Sequence, residues 1–177
     1  MRKSTAGRFP VDLQLADRGA GAVVARDLEL DRGAIRRRQC DLQNLSLGAT
    51  ATSPDGLEKD GAASGDQAAI DGKPETYWDE ADNQKLYRLR VQLPQPSRVV
   101  FLRLLGWQQH NYAPKDFEVL CDGKVVKQVA NATYKNNWLE VALPPTDCAA
   151  VELKITGYYG ASPAIRELEI YGKPPGR

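Results

Sequence analysis

Beyond Asn44, hydrophobic and polar residues follow each other along the chain with the period of two that β-strands show. Residues 86–93 send alternate apolar side chains to one face and polar side chains to the other. Residues 99–105 are apolar almost throughout, as expected of a strand that is covered on both faces. Pro94 and Pro96 lie between these runs and are expected to separate two strands, because proline has no N–H to give to a ladder.

The remaining segments extend the same pattern. Asp122 and Gly123 stand between two apolar runs and form a strong hairpin signal. No segment after Asn44 has a helical period long enough to predict a helix, which disfavours a parallel α/β sheet. The chain is therefore predicted to be all-β, an antiparallel sandwich or barrel. Its further strands are expected at residues 117–121, 124–129, 138–143, 151–156 and 168–171. Pro144 and Pro145 are expected to end the strand at residues 138–143.

Residues 1–43 form an N-terminal extension that the pattern does not resolve. Residues 11–15 and 28–30 alternate, with glycine-containing turns between them. The segment could fold as one or two hairpins, be the end of a preceding β domain, or be a linker. Three adjacent arginines, residues 36–38, give it a basic excess and are interpreted as a solvated stretch. The predicted domain spans residues 44–172, and residues 173–177 are a short tail.

Bulk composition limits the classes of function. The chain has 177 residues, 42% of them hydrophobic, which suits one domain with a core plus an extension. Its formal net charge of +1 gives no reason to expect nucleic acid as a partner. No apolar run is long enough to insert into a membrane, and no signal peptide is visible. We interpret the chain as a piece of a longer exported protein.

The cysteines leave two interpretations open. Cys40, Cys121 and Cys148 lack the close paired spacing of a zinc site. They could be small buried hydrophobes with weak S–H groups, or two of them could form a disulfide and leave one thiol over.

Four segments in order carry a family resemblance: residues 44–53, residues 71–78 with Asp71-Gly72 and the closing Trp78, residues 114–120, and residues 155–172. Together they resemble the discoidin family, also called the coagulation factor 5/8 type C domain. Within that family they look most like bacterial family 32 carbohydrate-binding modules, a galactose-binding-domain-like group. The resemblance implies a discoidin-type jelly roll of about eight strands, with Trp78 in the core.

The resemblance also implies a structural calcium ion that ties the Asp-Gly loop to the closing strand. Calcium takes six to eight oxygen ligands and mixes carboxylates with carbonyls and hydroxyls. Asp71 and Glu167 would supply carboxylates, and Thr76 a hydroxyl and a carbonyl. Ala68, Lys73 and Arg166 would contribute backbone oxygens only. The implied ligands are Ala68, Asp71, Lys73, Thr76, Arg166 and Glu167.

In the sugar-binding members, the site lies on loops at one end of the sandwich and combines an aromatic face with polar side chains. This sequence departs from galactose binders in two places. Residues 79–83 are acidic where a His and a second Trp often follow the signature, and the usual Arg of the middle loop, residues 106–113, is missing. The candidate ligand-binding residues are Trp107, Gln109, His110, Asn111, Tyr158, Tyr159 and Asp79.

These features predict a non-catalytic carbohydrate-binding module that binds a glycan or glycoprotein and targets a secreted or surface protein to it. Its partner could be a catalytic domain of the same parent chain, and its location extracellular, periplasmic or on the cell surface. The alternative is a discoidin-type protein-interaction or cell-adhesion domain without sugar binding. Phospholipid binding ranks third. Enzyme activity ranks last, because Asp79, Glu80 and Asp82 are more simply a solvated turn than a catalytic carboxylate pair.

Overall fold

The fold is an antiparallel β structure in a computed structural model that describes residues 42–54, 64–107 and 111–174. Within these residues it has seven strands and one short 3-10 helix. The predicted extension and tail lie almost entirely outside the described residues, so their interpretation stays a prediction. The strands are β1 (Gln43–Asn44), β2 (Thr50–Thr52), β3 (Tyr87–Gly106), β4 (Pro114–Cys121), β5 (Lys124–Val129), β6 (Trp138–Tyr158) and β7 (Ile165–Lys173), and the helix is Asp66–Ile70.

Two long strands organise the domain. The first half of β3 pairs with β2 and with the second half of β6, which also pairs with β4. The second half of β3 pairs with β7 and with the first half of β6. The hydrogen-bonded order is β1-β7-β3-β6-β4-β5, and every pairing is antiparallel. The predicted all-β fold class, a discoidin-type β-sandwich, is confirmed.

The prediction that prolines end the strands was wrong. β3 runs through Pro94 and Pro96, and β6 runs through Pro144 and Pro145. The pairing of β3 with β6 shifts register at both places, and none of the four prolines has a partner in the ladder. A proline needs no hydrogen-bonded partner at such an irregularity, so the strand continues beyond it.

The predicted hairpin is confirmed. Cys121 pairs with Lys124, and Asp122 and Gly123 form the two-residue turn with φ values of 46° and 79°. Two successive positive φ values match the twist of the flanking strands, and this explains the Asp-Gly pair.

One hydrophobic core contains side chains from both sets of paired strands, among them Leu89 and Val91 from the first half of β3 and Leu102 and Leu104 from the second. Trp78 is fully buried in this core, as predicted. In the part of the chain that the structure describes, no helix is long and apolar enough to cross a membrane.

Candidate functional site

The Asp-Gly loop holds several oxygen atoms close together. Asp71 Oδ1 accepts hydrogen bonds from the Lys73 amide at 2.8 Å and from Thr76 Oγ1 at 3.0 Å. Thr76 Oγ1 also lies 2.9 Å from Asp71 Oδ2 and 2.8 Å from the Lys73 carbonyl oxygen. Carboxylate, hydroxyl and carbonyl oxygens therefore converge within one loop, which Gly72 turns with a φ of 75°.

Glu167 of β7 completes the cluster from the other side. Its Oε2 accepts a hydrogen bond from the Gly72 amide at 3.0 Å, so the carboxylate lies against the loop. The side chain is buried, and this burial is the main reason that the pKa of Glu167 rises to about 7. The nearby charges of Asp71 and Glu169 raise the pKa further, while the hydrogen bond from Gly72 opposes the rise.

The donor set suits a hard cation such as calcium. Asp71, Lys73, Thr76 and Glu167, which the resemblance implies as calcium ligands, lie together. Ala68 lies in the 3-10 helix just before Asp71, and Arg166 precedes Glu167 in β7. Over the described ranges no group of three His, Cys, Asp or Glu side chains could hold a metal ion. The set has two carboxylates, so the remaining ligands would have to be hydroxyl and backbone oxygens, which calcium accepts.

Because the pKa of Glu167 is raised, we expect the stability of the protein to depend on pH when a chelator is present. A carboxyl group whose pKa is higher in the folded state than in the unfolded state binds protons more tightly when folded. Stability is therefore greatest below the unfolded value near 4.5 and falls as the pH rises towards about 7. The expected loss in the free energy of unfolding is about 2–3 kcal/mol, since each pKa unit corresponds to about 1.4 kcal/mol. Glu167→Gln keeps an acceptor for Gly72 and is expected to remove this loss, measured as the free energy of unfolding at pH 5 and pH 8.

Glu75→Gln provides the matched control, because it removes a charge from an exposed side chain of the same loop. The Glu167→Gln variant should gain about 2 kcal/mol relative to wild type between pH 5 and pH 8, and the control should not. Parallel pH profiles for wild type and Glu167→Gln would contradict the assignment.

Trp107, directly after β3, lies at the centre of a second cluster. Its ring centroid is 4.5 Å from that of Tyr77, with the planes tilted by 44°. The guanidinium carbon of Arg166 lies 5.4 Å from the same ring. All three side chains remain partly exposed. Tyr77, Trp107 and Arg166, which we name the Trp107 cluster, therefore present aromatic surface and a cation to solvent.

The Trp107 cluster is connected to the Asp-Gly loop. Arg166 Nε donates a hydrogen bond to the carbonyl of Pro74, which lies between Asp71 and Thr76 in the sequence. Tyr77 directly follows Thr76, and Arg166 directly precedes Glu167. Two of the three members of the cluster are therefore next in sequence to Thr76 and Glu167.

Asp79 lies beside this cluster. Its Oδ1 accepts a hydrogen bond from Ser162 Oγ at 2.6 Å, which joins the loop after Trp78 to the closing loop before β7. Burial, and then the charge of Asp79, raise the pKa of Tyr77. Asp79 is therefore placed to give the cluster a carboxylate.

Asn111 and Tyr112 are exposed at the same end of the sandwich. The Ala164 amide donates a hydrogen bond to the Tyr112 carbonyl at 2.6 Å, and the Trp107 amide donates to the Ala164 carbonyl at 3.3 Å. Gly160 has a φ of 86°, and a Cβ there would lie 2.0 Å from the Asn111 carbonyl oxygen. Only glycine lets the closing loop pass so near Asn111.

Tyr158 and Tyr159 have structural contacts. The Tyr158 hydroxyl donates to the Gln84 carbonyl at 3.0 Å, and its ring meets Tyr87 edge-on at 5.3 Å. The Tyr159 hydroxyl donates to the Ala132 carbonyl at 3.1 Å. Both rings are partly buried and pack against the core. Among the other candidates, Gln109 and His110 lie outside the described residues.

Sequence reasoning missed three features of this region. Tyr77 was not a candidate, although its place beside the signature Trp was visible. Arg166 was assigned a backbone oxygen only, whereas its side chain packs on Trp107. Glu80 was interpreted as part of a solvated turn, but it is buried and accepts a hydrogen bond from the Trp78 indole at 2.9 Å. An acid next to a core tryptophan could have suggested this pairing.

The antiparallel sandwich, with an Asp-Gly loop joined to its closing strand, defines a discoidin-type domain. The model of the F5/8 type C domain matches residues 48–168, and the chain belongs to that family. A search of curated proteins returned no match.

Several solved structures are similar in fold. A family 32 carbohydrate-binding module of Clostridium perfringens NanJ, in complex with galactose, is 20% identical and has a TM-score of 0.60, over 73% of this chain and 98% of that one. Chitosan-binding module 1 of a chitosanase/glucanase from Paenibacillus sp. IK-5 is 22% identical with a TM-score of 0.59, over 73% and 99%. A family 89 glycoside hydrolase from Clostridium perfringens is 16% identical with a TM-score of 0.61, over 76% of this chain and 15% of that chain.

Proposed function

We propose that this domain is a non-catalytic carbohydrate-binding module whose glycan site is centred on the Trp107 cluster. The observation that carries the proposal is a partly exposed tryptophan with Tyr77 and Arg166 packed against it, at the loop end of a sandwich. An aromatic face can stack on the apolar side of a sugar ring, while a few fixed polar groups bind its hydroxyls. One similar module was solved in complex with galactose, and another is a chitosan-binding module, which supports this class of ligand.

The polar groups available next to the tryptophan fit hydroxyl recognition. Arg166 donates hydrogen bonds only, and Asp79 accepts them, so the pair could bind two neighbouring sugar hydroxyls of opposite role. Arg166 would replace the arginine that is missing from the middle loop. Asn111 is exposed at the same end and would add an amide. Tyr158 and Tyr159 would have a structural role and would not contact the glycan, since their hydroxyls donate hydrogen bonds to backbone carbonyls.

A structural calcium ion forms part of the proposal. Asp71, Lys73, Thr76 and Glu167 would hold it, with backbone oxygens of Ala68 and Arg166, and it would neutralise the buried carboxylate of Glu167. Binding to the folded state alone stabilises it by mass action, so added calcium should raise Tm. Because the loop carries Tyr77 and contacts Arg166, the ion would also hold the glycan site in shape.

The proposed role is to concentrate a parent protein on a glycan surface. The family 89 hydrolase contains a domain of this fold within a much longer chain, which supports a catalytic neighbour in the same polypeptide. A secreted or cell-surface location follows from such a role. A shallow site of this kind is expected to bind with millimolar to micromolar Kd, roughly −4 to −8 kcal/mol, and several modules in one chain would raise the avidity.

A glycan array with the purified chain tests this function, first with calcium and then with a chelator. Selective binding to a set of related glycans, weakened by the chelator, is the expected result. A folded protein that binds no glycan in either condition would reject the proposal and favour the protein-interaction alternative.

A further inference from the structure

Two tyrosines of this domain are not connected to the rest of the fold through their hydroxyl groups. Within the described part of the chain, Tyr77 and Tyr112 make no side-chain hydrogen bond. The other tyrosines all donate their hydroxyl to a protein oxygen; they are Tyr87, Tyr134, Tyr158, Tyr159 and Tyr171. Tyr77 already belongs to the Trp107 cluster, whereas the proposed glycan site does not use Tyr112.

Tyr112 and Trp107 lie next to each other across the base of the middle loop. Gly106 and Ala113 close this base, because a Cβ on Gly106 would lie 2.6 Å from the Cβ of Ala113. Above them, the Ala164 amide donates to the Tyr112 carbonyl at 2.6 Å, and the Trp107 amide donates to the Ala164 carbonyl at 3.3 Å. The Trp107 nitrogen and the Tyr112 oxygen are therefore at most about 10 Å apart.

The ring of Tyr112 is supported by backbone and remains open to solvent. A Cβ on Gly160 would lie 2.9 Å from Cδ1 of Tyr112, so the ring packs against the closing loop at this glycine. Tyr112 is nevertheless 38% exposed, the largest fraction of any aromatic residue in the described ranges. Its ring is thus a preformed apolar surface of the kind that lines ligand sites, with a hydroxyl available for a further hydrogen bond.

We propose that the ligand of this domain is an oligosaccharide, with one sugar residue on the Trp107 cluster and a neighbouring sugar residue on Tyr112. This inference rests on the proposed function and names the class of glycan for the same site. One sugar ring covers one aromatic ring, so a monosaccharide on Trp107 would leave Tyr112 in water. A backbone separation of at most about 10 Å is comparable with the length of a disaccharide.

The Tyr112 hydroxyl would add specificity to the second sugar position. A phenolic hydroxyl both donates and accepts hydrogen bonds, so it can pair with a sugar hydroxyl in either role. Because no protein group within the described residues takes this hydroxyl, binding a sugar would not require an existing side-chain bond to break. The ring and its hydroxyl are therefore expected to contribute to oligosaccharide affinity together, with the larger share from the ring.

A chain-length series tests the inference. The glycan array presents each sugar as the monosaccharide, dimer, trimer and tetramer, and it includes the galactose series and the chitosan series. We expect the oligomers of at least one series to bind about tenfold more tightly than the monosaccharide of that series. Equal affinity of monosaccharide and oligomers in every bound series would overturn the inference and leave the glycan function standing. A folded protein that binds no probe would reject both.

Variants of Tyr112 show whether this residue causes the preference. Tyr112→Ala should bind the preferred oligomers about as weakly as the wild-type protein binds the monosaccharide. Tyr112→Phe keeps the ring and should keep most of the preference. Trp138→Ala is the matched control, because it removes a partly exposed aromatic side chain outside the site and should keep all of it. A folded Tyr112→Ala variant with the full preference would overturn the role of Tyr112.

An NMR titration of the wild-type chain gives a second readout that needs no variant. The ring signals of Tyr112 should shift when the preferred trimer is added and should shift much less with the monosaccharide. The Trp107 indole signal should shift with both. Ring signals of Tyr112 that stay unchanged while the trimer binds would contradict the second sugar position.

Discussion

Trp78→Ala is expected to lower the free energy of unfolding by about 3–5 kcal/mol. The Trp78 side chain has no exposed surface, and its indole N–H donates to Ser53 Oγ and to Glu80 Oε1, each at 2.9 Å. Its backbone pairs with Ile165 through hydrogen bonds of 2.8 Å and 3.0 Å. Alanine would leave a large cavity and remove the indole N–H that donates to the buried carboxylate of Glu80.

Chemical unfolding monitored by circular dichroism measures this loss. Trp78→Phe is the informative control, because it fills most of the space but removes the N–H. It should cost about 1–3 kcal/mol, because the buried carboxylate of Glu80 loses the hydrogen bond from the indole. An alanine variant that unfolds within about 1 kcal/mol of wild type would show that the core assignment is wrong.

Trp107→Ala is expected to weaken glycan binding about tenfold or more, because it removes the stacking surface at the centre of the site. The side chain is partly exposed and its main packing partners are Tyr77 and Arg166. Stability should therefore change by less than about 1 kcal/mol. Isothermal titration calorimetry with a glycan selected by the array gives the affinity, and thermal unfolding gives the stability.

Trp138→Ala is the matched control for this variant. Trp138 is also partly exposed and also packs on an arginine, with the Arg103 guanidinium 4.2 Å from its ring. That arginine pairs with Glu169 at 3.0 Å along the sheet and is not a member of the Trp107 cluster. Glycan affinity should survive in Trp138→Ala. Equal losses in the two variants would contradict the assignment of the site to Trp107.

Local patterns predicted the parts of this fold that local physics determines. The Asp122-Gly123 hairpin followed from two residues that accept positive φ, and the burial of Trp78 followed from the family signature. The continuity of β3 and β6 through their prolines did not follow, because it depends on pairing between strands that are about fifty residues apart in sequence. At a register shift the proline needs no N–H, and the position of such a shift depends on the partner strand.

Part of the candidate site consists of residues that the sequence singled out, and its geometry depends on tertiary contacts. Asp71, Thr76 and Glu167 come together as the resemblance implied, since both motifs are encoded in short segments. The role of Arg166 could not be read from position alone. In a strand its side chain and its carbonyl face different partners, and only the folded structure shows the guanidinium on Trp107. The burial of Glu80 likewise depends on Trp78 rather than on the acidic residues around it.

The most direct test of the glycan site is a titration of the isotope-labelled chain with an array-selected glycan, followed by amide and indole NMR shifts. The account predicts that the largest shifts occur at Tyr77, Asp79, the Trp107 indole and Arg166, with no change at Cys121 or along β5. Shifts that cluster on another face of the sandwich, or none at millimolar glycan, would contradict it.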